Sequence, residues 1–164
     1  MSSPKIAIVM GSDSDWKTLS AAKDTLEEFG FTPLVEVLSA HRTPQRMISW
    51  SEHAAEQGIA VIIAGAGGAA HLPGMIASVT SLPVIGVPVS LSNLDGMDSL
   101  LSIVQMPAGV PVATVAIDGA KNAALLALRI LGANDPQLRA KLDQYRVSLA
   151  DMVADKNQKL KSSL

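Results

Sequence analysis

The chain has 164 residues, of which 48% are hydrophobic, 17% charged and only 3% aromatic, and its net charge is −2. This apolar content excludes a disordered protein, because disordered chains lack the hydrophobic residues that offset the entropy of ordering. The absence of cysteine excludes a disulfide scaffold, a zinc–thiolate site and a cysteine nucleophile, and it fits a reducing cytoplasm. The acidic balance offers no basic field for nucleic acid. We expect one domain over residues 1–164 that does not bind nucleic acid.

The middle of the chain is almost without charge. Between Gln57 and Ile117, 61 residues contain only two charges, Asp95 and Asp98. Part of this stretch, Ile59 to Thr80, is long enough to cross a membrane, but glycines and prolines interrupt it. We therefore expect no membrane segment, but a buried parallel sheet whose remaining apolar surface is covered by other copies of the chain. The pattern thus predicts a homo-oligomer.

Strand and helix patterns alternate along the chain. Short β-branched runs predict strands buried on both faces, and one-sided apolar periodicity bounded by caps or glycine predicts helices. In chain order the expected elements are a strand at Lys5–Met10, a helix at Ser14–Phe29, a strand at Pro33–Leu38, a helix from Thr43–Pro44 to Gly58, a strand at Ala60–Ala64, a helix near Pro73–Ser81, a strand at Pro83–Val89, a helix at Asp98–Met106, a strand at Val110–Ile117 and a helix at Ala120–Leu131 closed by Gly132.

These strand–helix units predict an α/β fold, with helices on both faces of a parallel five-stranded sheet. Right-handed crossovers leave few strand orders, and the flavodoxin-like order 2-1-3-4-5 is our first choice. We expect a core over about 5–132 and a C-terminal helix over about 135–156, with a frayed end. Whether this helix packs on its own domain or reaches over a neighbouring subunit stays open. Its heptad-like seam comprises Leu138, Leu142, Tyr145, Leu149 and Met152.

Polar residues follow the first two strands, where open α/β sheets bind ligands. After strand one, Ser12 and Asp13 lead into the N-terminus of the expected helix, which suits a phosphate. The carboxylates of Asp13 and Asp15 do not suit a phosphate, but they can cap the helix or accept from sugar hydroxyls. Alternatively, Ser12, Asp13 and Ser14 serve only as caps. After strand two, Arg42 can bind a phosphate through two hydrogen bonds. The neighbouring His41 can give or take a proton near neutral pH.

Small residues follow the third strand, from Gly65 to Gly74. Their bare backbone allows a flat ligand to approach closely. A dinucleotide site is disfavoured, because the segment is not in the first strand–helix unit and no acidic residue follows at the required distance. His71 can contact the ligand or bridge loop carbonyls. The residues alone indicate a phosphate-bearing ligand and a proton shuttle at His41.

Four segments of the chain stand out together. They are GSDSDW at 11–16, SAHRTP at 39–44, AGAGGAAHLPGM at 64–75 and DSLLSIVQMP at 98–107. With these segments the chain resembles a known family, the N5-carboxyaminoimidazole ribonucleotide mutases of bacterial purine synthesis, or class I PurE family. The likeness runs from about Lys5 to Leu131. It implies a three-layer αβα domain that assembles as an octamer in the cytoplasm, with sites between subunits and neither metal nor organic cofactor.

The resemblance further implies a reaction and a small-molecule ribonucleotide substrate. A carboxylate moves from the exocyclic nitrogen of the imidazole to ring carbon 4 by decarboxylation and recarboxylation, with His41 as the general acid and base. Ser12 and Arg42 would hold the phosphate and Asp15 the ribose, with Asp13 as the alternative. The remaining implied substrate-binding residues are Ser39, Ala66, Gly67, His71 and Leu72.

Two alternatives stay open at this point. The nearest is an aminoimidazole ribonucleotide carboxylase that takes free CO2. An assay of which substrate is consumed without added bicarbonate distinguishes the two enzymes. The other is a non-catalytic flavin or nucleotide-binding module, although no aromatic residue lies in the loops after strands three and four to stack on a flavin.

Overall fold

A computed structural model describes residues 4–164, so the first three residues of the expected domain lie outside it. The described strands form one parallel sheet in the order β2-β1-β3-β4-β5, which confirms the flavodoxin-like topology. The elements are β1 (Lys5–Met10), α1 (Trp16–Glu28), β2 (Leu34–Val37), α2 (Pro44–Glu52), β3 (Ile59–Gly67), α3 (Leu72–Ala77), β4 (Val84–Val89), α4 (Met97–Val104), β5 (Ala113–Thr114), α5 (Ala120–Gly132) and α6 (Pro136–Lys161).

Helices cover both faces of the central strand β3. Successive residues of a strand point to opposite faces. Ala64 belongs to the buried cluster that includes Met47 of α2 and Ile103 of α4. The next residue, Gly65, faces α1, where an added Cβ would lie 2.7 Å from the Leu19 Cδ1 atom. Glycine at this position therefore lets α1 pack closely on the sheet.

The strand register brings the ends of β1 and β2 to the same level, two residues before the end of β3. Met10, the last residue of β1, pairs with Val37 of β2 on one side and with Gly65 of β3 on the other. Gly65 in turn pairs with Val87 of β4. Because all these strands are parallel, the chain leaves their carboxyl ends along one edge of the sheet.

Two strands, β3 and β5, differ most in length from the expectation. β3 continues to Gly67 instead of ending at Ala64, since its small residues still pair with β4. β5 contains only Ala113–Thr114 instead of Val110–Ile117. It is an edge strand, and Pro111 within the expected range has no N–H to donate to the ladder. The chain stays beside β4 beyond β5, because the Val115 N–H donates to the Gly86 carbonyl at 3.0 Å.

The helices also correct the sequence prediction at several ends. α2 ends at Glu52 and not at Gly58, because the chain turns to bury Ala54 in the core and then forms a 3-10 turn. Gly58 closes this turn in a left-handed conformation, with φ of 81°. A 3-10 turn likewise replaces the expected first turn of α1. Gly132 is the last residue of α5 and does not follow it.

The chain divides into two compact units, the first ending at Ala127 and the second running from Leu128 to Leu164. In the second unit, the Asp135 side chain caps α6 by accepting from two backbone N–H groups. α6 continues to Lys161, and the lysines in its last turn interact favourably with the negative end of the helix dipole. Of the predicted seam, Leu138 is buried, whereas Leu149 and Met152 are exposed. A single domain over 1–164 stays a prediction. None of the helices within residues 4–164 is both long and apolar enough to span a bilayer.

Candidate active site

A cleft of about 240 Å³ opens where β1, β2 and β3 end. Its walls come from the loops that the sequence singled out, as expected for the switch point of this sheet. Of the predicted site residues, only Asp13 does not line it. The lining residues are Gly11, Ser12, Ser14, Asp15, Ser39, Ala40, His41, Arg42, Ala66, Gly67, Ala69, His71, Leu72 and Leu91.

The turn after β1 is held by reciprocal capping bonds. The Ser12 N–H donates to Asp15 Oδ2 at 3.1 Å, and the Ser12 hydroxyl accepts from the Ser14 hydroxyl at 2.9 Å and the Ser14 N–H at 3.4 Å. Asp13 is exposed, and its carboxylate accepts from the Ser12 hydroxyl at 3.2 Å. Capping therefore accounts for the sequence of this turn, and it also fixes Ser12 and Asp15 in the wall of the cleft.

Asp15 is the buried acid of the site, with only 6% of its surface exposed. Burial raises the pKa of its carboxyl group, and the nearby Asp13 charge adds to this effect. Hydrogen bonds from the Ser12 and Gly11 N–H groups act in the opposite direction and lower the pKa. A carboxylate that is partly desolvated in this way gains from new hydrogen-bond donors, such as the hydroxyl groups of a ligand.

The turn after β2 presents two functional side chains from a rigid backbone. The Ser39 hydroxyl accepts from the Arg42 N–H at 3.2 Å, and the Ser39 carbonyl accepts from the Thr43 hydroxyl at 3.1 Å. Thr43 thus binds back to the turn, and its side chain does not cap α2. Within residues 4–164 the Arg42 guanidinium has no ion-pair or hydrogen-bond partner, so it is available to an anion.

His41 and His71 meet across the mouth of the cleft. His41 Nε2 lies 2.7 Å from His71 Nδ1, and the two rings are perpendicular with centroids 4.8 Å apart. At this distance one ring donates a hydrogen bond and the other accepts it. The sequence left open whether His71 contacts a ligand or loop carbonyls, and the structure places its ring on His41. The pair can hold a proton that moves between two imidazoles.

The backbone after β3 is fastened to α4. Gly68 has a left-handed φ of 67°, and its N–H donates to the hydroxyl of the buried Ser99 at 2.8 Å. Ser99 in turn donates to the Val89 carbonyl at 2.7 Å. The Gly68 carbonyl accepts from Ser102 at 3.3 Å. These bonds hold the small residues at the end of β3 in place.

Leu91 also lines the cleft, although it lies outside the loops from which the sequence predicted the site. It follows β4, and it lies so close to the end of β3 that a Cβ on Gly67 would be 3.0 Å from the Leu91 Cγ atom. With Ala66 and Leu72, which are buried, it gives the cleft an apolar side. Its position after the fourth parallel strand could have indicated a place at the cleft, but an apolar residue within an apolar stretch does not stand out.

Comparison with known proteins identifies the family. The sequence model of AIR carboxylase matches residues 5–152. The chain belongs to the AIR carboxylase family. This match confirms the family resemblance that the four segments indicated.

Individual relatives and solved structures agree with this assignment. The N5-carboxyaminoimidazole ribonucleotide mutase of Mycobacterium tuberculosis strain H37Rv is 62% identical over 157 residues, 96% of this chain and 90% of the relative. The mutase of the same name from Synechocystis is 58% identical, covering 96% of this chain and 90% of the relative. The crystal structure of Treponema denticola PurE superposes with a TM-score of 0.88 at 29% identity, covering 97% of this chain and 99% of that one.

The raised pKa of Asp15 predicts that its ionised form costs stability. A folded-state pKa above the unfolded value gives stability that is present at low pH and lost as the pH rises through the folded pKa. Asn keeps an oxygen for the Ser12 N–H but carries no charge. We therefore expect Asp15→Asn to raise the free energy of unfolding at pH 7.5, with a difference that shrinks towards about pH 4.

Urea unfolding at several pH values measures this difference. The matched control is Asp24→Asn, which removes an exposed carboxylate from α1 and should leave stability almost unchanged. A wild-type chain more stable than Asp15→Asn at pH 7.5 would contradict the prediction.

Proposed function

We propose that this chain is an isomerase that converts N5-carboxyaminoimidazole ribonucleotide to 4-carboxy-5-aminoimidazole ribonucleotide in purine biosynthesis. The relatives that carry the mutase name are about three-fifths identical over nearly the whole chain. The observation that carries the proposal is the 2.7 Å contact between His41 and His71 in the cleft that Arg42 also lines. A proton carrier and an anion-binding group thus line the same cleft.

The phosphate and ribose of the substrate are assigned to the turns after β1 and β2. Arg42 supplies a planar pair of donors for the phosphate, and the Ser12 hydroxyl supplies a further donor. The buried Asp15 carboxylate accepts from ribose hydroxyls, which the exposed Asp13, outside the cleft, is not placed to do. Ser39 fixes the backbone of the turn that presents Arg42.

The imidazole base is assigned to the small and apolar residues of the cleft. Ala66, Gly67 and Leu72 line this part, and their lack of bulk lets a flat ring approach the backbone. Such a wall excludes water from the released CO2, which would otherwise be hydrated or lost. The carboxyl group therefore leaves the nitrogen and reaches carbon 4 within one enclosed space.

His41 carries the proton in both steps. Loss of CO2 from the carbamate breaks the N–C bond and requires a proton on the nitrogen, which imidazolium donates. Carbon 4 then forms a bond to CO2, and the ring regains its aromaticity when neutral imidazole removes the proton from that carbon. The step returns His41 to its first state, so no net proton is consumed. His71 bonds to Nε2 of His41 and thereby sets the orientation of the His41 ring.

The family description, AIR carboxylase, also names a second candidate reaction. A carboxylase would add free CO2 to aminoimidazole ribonucleotide. Substrate consumption without added bicarbonate separates the two, because only the substrate of the mutase reaction already carries the carboxyl group. The high identity to proteins named as mutases favours the first reaction.

The active form is proposed to be a cytoplasmic homo-oligomer, an octamer by the family resemblance. Three exposed apolar residues, Met97, Leu101 and Val104, lie on one side of α4 and are each about half exposed in the single chain. Spacings of three and four residues place them on one helix face. An apolar face in a stretch almost without charge is typical of a subunit interface.

His41→Asn is expected to lower kcat by about 10²–10⁴-fold, the usual contribution of general acid–base catalysis. KM should change little, because phosphate and ribose contacts remain. The control is His53→Asn, an exposed histidine that bonds to the Ser49 carbonyl. Steady-state kinetics measure both variants, and near-normal turnover of His41→Asn would refute the proton-shuttle role.

Arg42→Ala is expected to raise KM by about ten- to a hundredfold, as for the loss of hydrogen bonds to a charged group. Arg46→Ala is the matched control, because Arg46 follows the same turn but pairs with Glu36 at 3.0 Å on the surface. Its kinetics should stay close to those of the wild type. An unchanged KM for Arg42→Ala would speak against the phosphate assignment.

Leu101→Lys is expected to shift the protein to smaller species in sedimentation at micromolar concentration. Burying a leucine contributes about 1.5–3 kcal/mol to an interface, and a lysine there would have to lose its hydration. Ala21→Lys adds the same charge at an exposed position of α1 as a control. A monomeric wild type would contradict the proposed assembly, and an unshifted Leu101→Lys would exclude this face of α4.

A further inference from the structure

Asp118, in the turn between β5 and α5, has a backbone conformation that requires support. Its φ of 55° lies in the left-handed region, which residues with a Cβ adopt rarely. The adjoining Gly119 turns so tightly that a Cβ there would lie 2.7 Å from the Ala116 carbonyl oxygen. Such a conformation persists only where surrounding contacts hold it. The residues that bond to Asp118 therefore indicate which part of the chain this turn holds in position.

The Asp118 carboxylate binds one residue with both of its oxygens. Oδ1 accepts from the Ser90 N–H at 2.9 Å, and Oδ2 accepts from the Ser90 hydroxyl at 2.6 Å. The Asp118 N–H donates to the Pro88 carbonyl at 2.8 Å. Asp118 therefore fastens the chain on both sides of Val89, at the end of β4. A longer bond of 3.4 Å joins its Oδ1 to the hydroxyl of Thr18 on α1.

Ser90 is followed directly by Leu91, the apolar residue that lines the cleft. The Leu91 side chain lies over the bare backbone at the end of β3, because a Cβ on Gly67 would be 3.0 Å from its Cγ atom and one on Gly68 would be 3.4 Å from its Cδ1 atom. Leu91 is nevertheless 47% exposed, so packing alone does not immobilise it. The bonds from Asp118 to Ser90 are what fix the backbone that carries it.

We propose that Asp118 is a positioning residue that holds Leu91 over Gly67 and Gly68 as the wall that retains CO2. The inference rests on the proposed function. In that reaction the carbamate gains a proton and yields aminoimidazole ribonucleotide and CO2, which recombine with loss of one proton. A displaced Leu91 opens the cleft between the two steps. CO2 then escapes, and the free aminoimidazole ribonucleotide is released in place of product.

The experiment compares Asp118→Gly with Asp118→Asn in the presence of ¹³C-bicarbonate. Glycine tolerates the left-handed backbone but removes the carboxylate, whereas asparagine tolerates it and keeps an acceptor for the Ser90 N–H. For Asp118→Gly we expect the ratio of released aminoimidazole ribonucleotide to product to rise about tenfold, as for the loss of hydrogen bonds to one charged group. The labelled fraction of the product should rise with it. Asp118→Asn should restore most of the wild-type partition.

Two further measurements separate positioning from general destabilisation. Amide hydrogen exchange of the peptide covering 88–94 should be faster in Asp118→Gly than in the wild type and Asp118→Asn. Asp95→Gly is the matched control, an exposed aspartate with a left-handed φ of 50°, and its product partition should equal that of the wild type. Leu91→Ala should release aminoimidazole ribonucleotide to the same extent as Asp118→Gly, and the double variant should add little.

Each contrary result overturns a defined part of this inference. Unchanged exchange in Asp118→Gly would show that the carboxylate does not hold the segment. Faster exchange with unchanged partition would show that the segment does not retain CO2. A wild-type protein that converts no carbamate would overturn the proposed function and the CO2 role together, while the exchange data would still decide whether Asp118 holds Ser90.

Discussion

The parallel pairing of β1 with both β2 and β3 is the constraint on which the site depends. Met10 pairs with Val37 and with Gly65, so the loops after β1 and β2 leave the sheet at one level and the loop after β3 leaves it two residues further along. A shift of one residue in either pairing would move a loop along the edge and exchange the two faces of that strand. The buried side chains on both faces, which are almost entirely inaccessible to solvent, oppose any such shift. Packing of the core thus fixes the spacing of the polar groups in the cleft.

Several features of the cleft oppose stability and are held by the surrounding fold. Asp15 is a buried carboxyl whose pKa is raised by burial, Asp118 has a left-handed backbone, and Gly67 and Gly68 expose backbone where side chains would add packing. Hydrogen bonds hold three of these residues: the Ser12 N–H donates to Asp15, the Ser90 N–H donates to Asp118, and the Gly68 N–H donates to the Ser99 hydroxyl. This arrangement is expected where a functional site needs a desolvated acid and a bare backbone surface.

Much of this structure was predictable, because the decisive signals are local. The β-branched run of β1 was assigned with its observed bounds, and the loops containing Ser12, His41 and Gly67 were placed at one edge by the rule for parallel sheets. The contact between His41 and His71 was not predictable, since it joins residues thirty positions apart through the path of two loops. Leu91 gave no signal within an apolar stretch, and β5 shortened because Pro111 cannot complete its ladder.

A crystal structure with bound 4-carboxy-5-aminoimidazole ribonucleotide tests most directly whether the three loops form one binding site. The phosphate should lie on Arg42 and the Ser12 hydroxyl, the ribose on Asp15, and the imidazole ring on Ala66 and Gly67 with carbon 4 within reach of the His41 ring. A nucleotide bound elsewhere, or a ring whose carbon 4 lies away from both histidines, would contradict the assignment of this cleft as the active site.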